Sequence, residues 1–361
     1  MPPQPMTNAP ASRYEKVRAD LRARPRTWLV TGAAGFIGSN LLQELLGLDQ
    51  HVIGLDNFST GYQANLDEAE GANLGTRGSF RFIKGDIRDL DACRAACVGV
   101  DFVLHQAALA SVPRSIADPV SSTQVNVDGF LNVLIGARDA SAKRVVYASS
   151  SSVYGDARTI PQVEDVTGQV LSPYAATKAT NEMFAKVFQR TYGLETVGLR
   201  YFNVFGRRQD PNGAYAAVIP RWAANLLKGS PCEIFGNGET SRDFCYIANA
   251  VQANILGATE PSAEASAQAY NVACGDETSL NALFAMIRDN LTAIQPMVAS
   301  AEPSYAAERQ GDIRRSLADI GKARRLLGYA PTHSAAAGMK ETLRWYASQL
   351  AANEPASAAV R

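Results

Sequence analysis

Residues 27–38 read Thr27-Trp-Leu-Val-Thr31-Gly32-Ala-Ala-Gly35-Phe36-Ile37-Gly38, and the reading of this stretch decides the fold. An apolar run ends in three glycines, each three residues from the next, which lead straight into the helical pattern of Ile37 to Leu48. Without Cβ atoms a backbone can turn tightly and approach a pyrophosphate, which then sits on the positive end of the helix. Three glycines also describe an ordinary strand-to-helix turn, so the surroundings have to choose between the two.

Outward from that turn, short apolar runs alternate with helical patterns. The runs are Trp28-Leu-Val-Thr31, Val52-Ile-Gly-Leu55, Phe80-Arg-Phe-Ile83, Phe102-Val-Leu-His105, Val145-Val-Tyr-Ala148 and Thr196-Val-Gly-Leu-Arg200. Helices are predicted over Ile37 to Leu48, Val120 to Ala140 and Tyr174 to Tyr192, each with apolar residues at three- and four-residue steps. This alternation predicts an α/β protein with a doubly wound parallel sheet.

After Gly206 the pattern lapses into the polar stretch Arg207-Arg-Gln-Asp-Pro-Asn-Gly213, followed by short pieces such as Glu233-Ile-Phe235 and a helix near Leu280 to Leu291. We therefore divide the chain into an extension over 1–26, a dinucleotide-binding domain over 27–205 that returns near 240–275, and a smaller, mainly substrate-binding domain over 206–350. Residues 351–361 read as a loose tail, and Ser262 to Ala269 as a surface loop.

Composition narrows the function classes. Lys plus Arg and Asp plus Glu both number 35, so no overall positive field gathers nucleic acid or acidic lipid. Five cysteines, Cys93, Cys97, Cys232, Cys245 and Cys274, show no metal-ligand spacing and read as reduced packing residues. The N-terminal stretch has no secretory-signal pattern and no window has the apolar length of a membrane span, so the expected setting is cytoplasmic and the expected ligand a small molecule.

Asp56 ends the second apolar run about 20 residues beyond the glycine turn, where an acidic side chain accepts hydrogen bonds from an adenosine ribose. A carboxylate there repels a 2′-phosphate, favouring NAD over NADP. The alternative is an Asp that caps a turn with Asn57. Asp86 follows the third run and Gln106-Ala107-Ala108 the fourth, where small side chains would let the cofactor cross the strand ends. Asn126, inside a helical pattern, needs a polar partner if buried, for which the cofactor is one candidate, or else is exposed.

Ser172-Pro-Tyr174-Ala-Ala-Thr-Lys178 opens a helix and puts a phenol and an ammonium on one face, one turn apart. A nearby cation should lower the tyrosine from about 10 toward working pH, so that Tyr174 can take a proton from a hydroxyl. The pair follows Ser149-Ser-Ser-Ser-Val-Tyr-Gly155 at the end of the fifth run, and open parallel sheets bind ligands at that edge. A serine there can donate to and accept from the reacting oxygen.

With the glycine turn, Asp56, His105-Gln-Ala-Ala108, the serine run and Tyr174/Lys178 in this order, residues 27 to 350 resemble the extended short-chain dehydrogenase/reductase superfamily. Within it the chain is similar to UDP-sugar 4-epimerases, and most to bacterial UDP-N-acetylglucosamine 4-epimerases of surface-polysaccharide pathways. That likeness runs through Ala108-Leu-Ala-Ser-Val-Pro-Arg-Ser115 and Leu199-Arg-Tyr-Phe-Asn-Val-Phe-Gly206 with the polar stretch that follows.

The resemblance implies a bound NAD that takes hydride from sugar C4 and returns it to the opposite face of a 4-keto intermediate. It places the catalytic hydroxyl on Ser150, with Ser151, Ser152 and Ser111 as supporting contacts. It extends the cofactor site to Phe36, Ile37, Thr60, Gly61, Ile87, Tyr201 and Val204. On the substrate side it implies Asn203, Arg242 and Arg309 at the diphosphate, Asp312 at the uridine ribose, and Ala217, Val218 and Phe235 around the sugar.

Ser316 matches a position that galactose-restricted relatives fill with Tyr, so a small residue there implies room for a 2-N-acetyl group. Ala110 stands where some galactose epimerases carry Lys. The resemblance also implies a homodimer through a four-helix bundle. Dehydratases and decarboxylases of the same superfamily place a carboxylate in the serine segment, and Ser150-Ser-Ser-Val153 has none. UDP-glucuronate 4-epimerisation stays open, as does a non-catalytic NAD-binding scaffold or redox sensor.

Overall fold

The structure is a computed structural model that describes residues 11–212, 216–308 and 314–353. Seven strands form its main sheet: β1 (Thr27–Thr31), β2 (His51–Asp56), β3 (Ser79–Lys84), β4 (Phe102–His105), β5 (Arg144–Ser150), β6 (Glu195–Tyr201) and β7 (Gln268–Val272). Every pairing among them is parallel, in the order β7-β6-β5-β4-β1-β2-β3. The strands are apolar throughout because both faces are covered. Trp28, Val30, Val52, Leu104 and Val146 enter one core, while the alternating Leu29, Ile53, Val103, Val145 and Tyr147 enter the other. This is the doubly wound, Rossmann-like architecture expected.

The strand order reverses between β1 and β4, so the loops after these two strands diverge and leave a crevice at their carboxyl ends. The helix Phe36–Gly47 starts in that crevice, and the helix Pro173–Tyr192 lies against β5 and β6.

Three sequence expectations are refined. The helix expected over Val120 to Ala140 is Pro119–Thr123, a wider π turn over Gln124–Asp128, and Gly129–Asp139. The expected surface loop from Ser262 contains a short 3₁₀ turn, Ala263–Ala265, and then enters β7 at Gln268, because Ala265, Ala269 and Tyr270 are apolar enough to be buried. The first three residues of the expected tail complete the helix Ala335–Asn353, which is anchored by buried Met339, Leu343 and Tyr346.

The extension contains a helix. Its helix Arg13–Ala23 starts on a reciprocal Ser12–Glu15 cap and buries Val17 and Leu21. Gln50 Nε2 donates to the Leu21 carbonyl at 2.9 Å, tying the extension to the start of β2.

Beyond β6 the chain builds several small pairings. Ser241–Arg242 pairs with both Thr278–Ser279 and Arg315–Ser316, and Glu233–Phe235 pairs with Ser304–Ala306.

Candidate active site

The glycine turn is built for close approach. Gly32 has a φ of +69°, and a Cβ on it would lie 2.7 Å from the Ala107 nitrogen across the crevice. A Cβ on Gly38 would stand 2.0 Å from the Gly32 carbonyl oxygen. The helix Phe36–Gly47 has Gly35 as N-cap with no side-chain cap, so its first N–H groups face the crevice without a competing side chain.

Gly32, Gly35, Phe36, Ile37 and Gly38 line a cleft of about 260 Å³. Asp56, Asn57, Thr60, Asp86 and Ile87 line it from the β2 and β3 side, and Gln106, Ala107 and Ala108 from the end of β4. Asp56 accepts from the Ala34 N–H at 2.9 Å and the Phe58 N–H at 2.7 Å, so one carboxylate holds the glycine turn to the loop after β2. Asn57 Nδ2 donates to Asp86 at 2.9 Å, closing the far wall, and Arg88 beside Asp86 holds that carboxyl down at about 2.

The cleft also takes in Ser59 and Val125, which sequence reasoning did not assign, and Ala110, which stands where some galactose epimerases carry Lys. Val125 lies in the π turn Gln124–Asp128, and no periodicity signal reports such a turn.

Other expected cofactor residues sit differently. Gly61 packs on Ala34, where a Cβ would come within 2.7 Å of the Ala34 carbonyl carbon, and so supports the wall from behind. Asn126 is buried, but its polar atoms are taken by the protein: Oδ1 accepts from the Leu109 N–H at 2.8 Å and Nδ2 donates to the Leu109 carbonyl and to Thr177, both at 3.2 Å. The polar partners are thus supplied by Leu109 in the loop after β4 and by Thr177 of the helix Pro173–Tyr192.

The Gln106 side chain turns toward Tyr201, whose hydroxyl donates to Gln106 Oε1 at 3.1 Å and accepts from Asn254 Nδ2 at 2.7 Å. Gln106 Nε2 donates to Asn254 Oδ1 at 2.9 Å and closes the triangle. Asn254 carried no signal in the sequence, since only the fold brings its helix to Gln106.

At the end of β5, Ser150 comes close enough to Tyr174 for its hydroxyl to draw the phenol pKa down, so the two expected catalytic groups lie near each other. Ser172 caps the helix that carries Tyr174 by accepting from the Ala175 N–H at 3.1 Å, with Pro173 in the first turn. Ser115 accepts from the Tyr174 N–H at 3.0 Å. Ser150 Oγ also accepts from the Ser152 N–H at 3.1 Å, and Ser151 and Ser152 form the 3₁₀ turn Ser151–Tyr154 beside it.

The electrostatics differ from the sequence expectation. Lys178 Nζ donates to the Ala148 carbonyl at 2.7 Å and lies 5.9 Å from the centre of the Tyr174 ring. Burial raises the Tyr174 phenol above its ordinary value, and the Ser150 hydroxyl pulls it back only in part. Burial also lowers Lys178 to about 8. Spacing on a helix reports neighbours but not desolvation, so the lowering expected for Tyr174 is reversed.

The expected substrate residues fall into two groups. Asn203, Ala217 and Val218 line a hollow of about 220 Å³ together with Val204, which was expected on the cofactor side but follows Asn203 into this hollow. Asn203 Nδ2 donates to the Asp243 carbonyl at 3.0 Å. Arg242 and Ser316 are direct register partners, and Phe235 pairs with Ala306. Ser111 instead caps the short helix Val112–Ala117 by accepting from the Arg114 N–H at 3.1 Å. Arg309 and Asp312 lie outside the described residues.

A family model described as "NAD dependent epimerase/dehydratase family" matches residues 28–273, more than half of the chain. The chain belongs to that family. Its cofactor is NAD, and the cleft fits it: a glycine turn with no room for side chains, an uncapped helix start, and a carboxylate in the lining that disfavours a 2′-phosphate.

The chain is similar to a UDP-glucose 4-epimerase of Mycolicibacterium smegmatis, 38% identical over 88% of this chain and 97% of the relative. Among solved structures, a UDP-N-acetylglucosamine 4-epimerase from Methanobrevibacter ruminantium in complex with UDP-N-acetylmuramic acid superposes with a TM-score of 0.82 at 39% identity, covering 90% of this chain and 99% of the other. A UDP-glucuronic acid 4-epimerase mutant from Bacillus cereus, bound to UDP-4-deoxy-4-fluoro-glucuronic acid and NAD, superposes with a TM-score of 0.79 at 29% identity, covering 90% and 99%. Among the described residues, no helix is long and apolar enough to cross a membrane.

Proposed function

We propose that this protein interconverts the C4 epimers of a UDP-sugar, with UDP-N-acetylglucosamine and UDP-N-acetylgalactosamine as its substrate pair. The observation that carries the reading is that Ser150 and Tyr174 lie near each other at the end of β5, Ser150 drawing the phenol pKa down, with no carboxylate between Ser149 and Val153. A dehydratase needs an acid at that point to handle a second proton; an epimerase does not.

When bound, NAD supplies a nicotinamide that accepts and returns hydride at sugar C4. The chain's own residues move the proton. Ser150 bridges the C4 hydroxyl and the Tyr174 phenol, and Tyr174 takes the proton as the hydroxyl becomes a carbonyl, then gives it back. Lys178, buried next to them, supplies the positive charge that favours phenolate. Arg242 holds the diphosphate, for which a guanidinium with several donors is suited. Ser316, paired with Arg242, leaves volume for the acetamido group, and Ala217 and Val218 leave room for the keto sugar to turn over.

The exposed side chains Met183 and Val187 stand one turn apart on the helix Pro173–Tyr192, and Ile116 and Val120 are exposed on the adjoining short helices. This apolar face supports pairing of two copies through these helices. Sedimentation of wild type and Val187→Glu tests it: a dimer that the charge dissociates agrees, and a wild-type monomer does not.

The activity test incubates purified protein, with no NAD added, with UDP-N-acetylglucosamine, UDP-glucose and UDP-glucuronate, following each C4 epimer by NMR. Fastest conversion of the acetylated sugar agrees with the proposal. Conversion of UDP-glucuronate alone would replace the substrate, and no conversion even with NAD supplied would leave a non-catalytic scaffold.

A further inference from the structure

Beneath Ser150 and Tyr174 lies a buried ion pair that the proton transfer does not use. Glu182 stands one turn beyond Lys178 on the same helix, and Arg200 is on β6; they are only 7% and 5% exposed. Arg200 donates from Nε at 2.9 Å to one carboxylate oxygen of Glu182 and from Nη2 at 2.8 Å to the other. Desolvating two charges costs about what their attraction returns, so such a pair adds little stability over apolar packing. Its bidentate geometry does add direction.

That direction is aimed at the catalytic strand. Glu182 accepts a third hydrogen bond from Ser149 Oγ at 2.6 Å, and Ser149 is the register partner of Arg200. One turn earlier, Lys178 Nζ holds the Ala148 carbonyl at 2.7 Å. Two successive turns of the helix that carries Tyr174 therefore grip the two residues that precede Ser150. Sliding the helix along β5 would break both grips at once.

The same network reaches the substrate side. Arg200 Nη1 donates to the Glu164 carbonyl at 2.9 Å, and the Glu164 carboxylate accepts from the Asn271 N–H at 2.8 Å. Two residues from Glu164, Gln162 donates its N–H to the Leu317 carbonyl at 2.7 Å and accepts from the Asp319 N–H at 2.9 Å. Leu317 adjoins Ser316.

We propose that Ser149, Glu182 and Arg200 form a positioning network that holds the Ser150 hydroxyl in register with the Tyr174 phenol. The kinetic consequence rests on the epimerase reading above, while the geometric one does not. Since a displacement of about 1 Å in a catalytic group costs on the order of a hundredfold in rate, partial loosening should cost about tenfold.

The test is Ser149→Ala, which removes one hydroxyl and leaves the Glu182–Arg200 pair, alongside Ser149→Thr, which keeps the hydroxyl. Two quantities are read: steady-state kinetics, and the titration of Tyr174 by NMR of ring-labelled tyrosine, its signal identified by loss in Tyr174→Phe. The expected result for Ser149→Ala is kcat down about tenfold with KM within about twofold, unchanged NAD content, and Tyr174 titrating at higher pH; Ser149→Thr restores each.

Unchanged kcat and titration overturn the proposal. So does a loss that tracks a lower melting temperature and is not restored by Ser149→Thr. If wild type turns over no UDP-sugar, the epimerase reading falls, and the Tyr174 titration alone still decides the positioning network.

Discussion

Ser316 lies directly opposite Arg242 in a two-residue parallel pairing, and its carbonyl accepts the Asp243 N–H at 2.7 Å. The residue we assign to the acetamido group is therefore spaced by backbone hydrogen bonds from the residue we assign to the diphosphate. Distance along the substrate, from phosphate to sugar, is set by a β register and not by flexible side chains. A change of volume at Ser316 should act on the sugar without moving the anchor.

Ser316→Tyr should accordingly lower kcat/KM for UDP-N-acetylglucosamine by roughly 10–100-fold relative to UDP-galactose, the scale of steric discrimination in a shaped pocket. Competition between the two sugars in one tube measures the ratio directly. An equal loss on both sugars would remove Ser316 from the specificity argument.

Tyr174→Phe keeps the ring and removes the proton acceptor. Turnover should fall by roughly 10²–10⁴-fold, the usual worth of a positioned acid–base group, while NAD released on denaturation stays at the wild-type amount. A variant that has also lost its NAD would mean the hydroxyl serves binding first.

Lys178 gives opposite signs for activity and stability. Burial lowers it from an ordinary 10.5 to about 8 in the folded protein. Between about 8 and 10.5 the folded chain thus holds fewer protons than the unfolded chain, so this group makes stability rise with pH across that window. The ammonium that supports the Tyr174 phenolate is lost over the same range, so kcat should decline above about pH 8. Parallel pH series of kcat and of denaturant midpoint check this, and Lys178→Arg should move the alkaline decline upward. A flat kcat through pH 10 would show that the lysine charge is not needed.

Gly38→Ala puts a methyl where the Gly32 carbonyl oxygen stands 2.0 Å away, and backbone cannot yield there without opening the turn. NAD content should drop to a small fraction of wild type while far-ultraviolet circular dichroism keeps its α/β signature, because the turn is at the sheet's edge. Full NAD occupancy would contradict the close-approach argument.

The polar triangle of Tyr201, Gln106 and Asn254 offers a stability test. Tyr201→Phe strands the Gln106 oxygen and an Asn254 N–H in a partly buried site, a loss of about 1 kcal/mol readable from urea denaturation. A neutral result would mean that water replaces the hydroxyl.

The alternation of apolar runs with helical periodicity already specified the doubly wound sheet, because strands buried on both faces must be apolar throughout and their crossover helices must be amphipathic. Glycine spacing, the acid at the end of β2, and the one-turn separation of Tyr174 and Lys178 were legible for a similar reason: each depends on chemistry within a few neighbouring residues. Contacts between distant segments were not legible. Asn254 meeting Gln106, Glu182 holding Ser149, Val204 joining Ala217, and the π turn at Val125 all arise from how helices settle on the sheet. The raised Tyr174 phenol and lowered Lys178 belong with them, since the cost of burying a charge depends on everything packed around it, and one local stretch of sequence does not state what that will be.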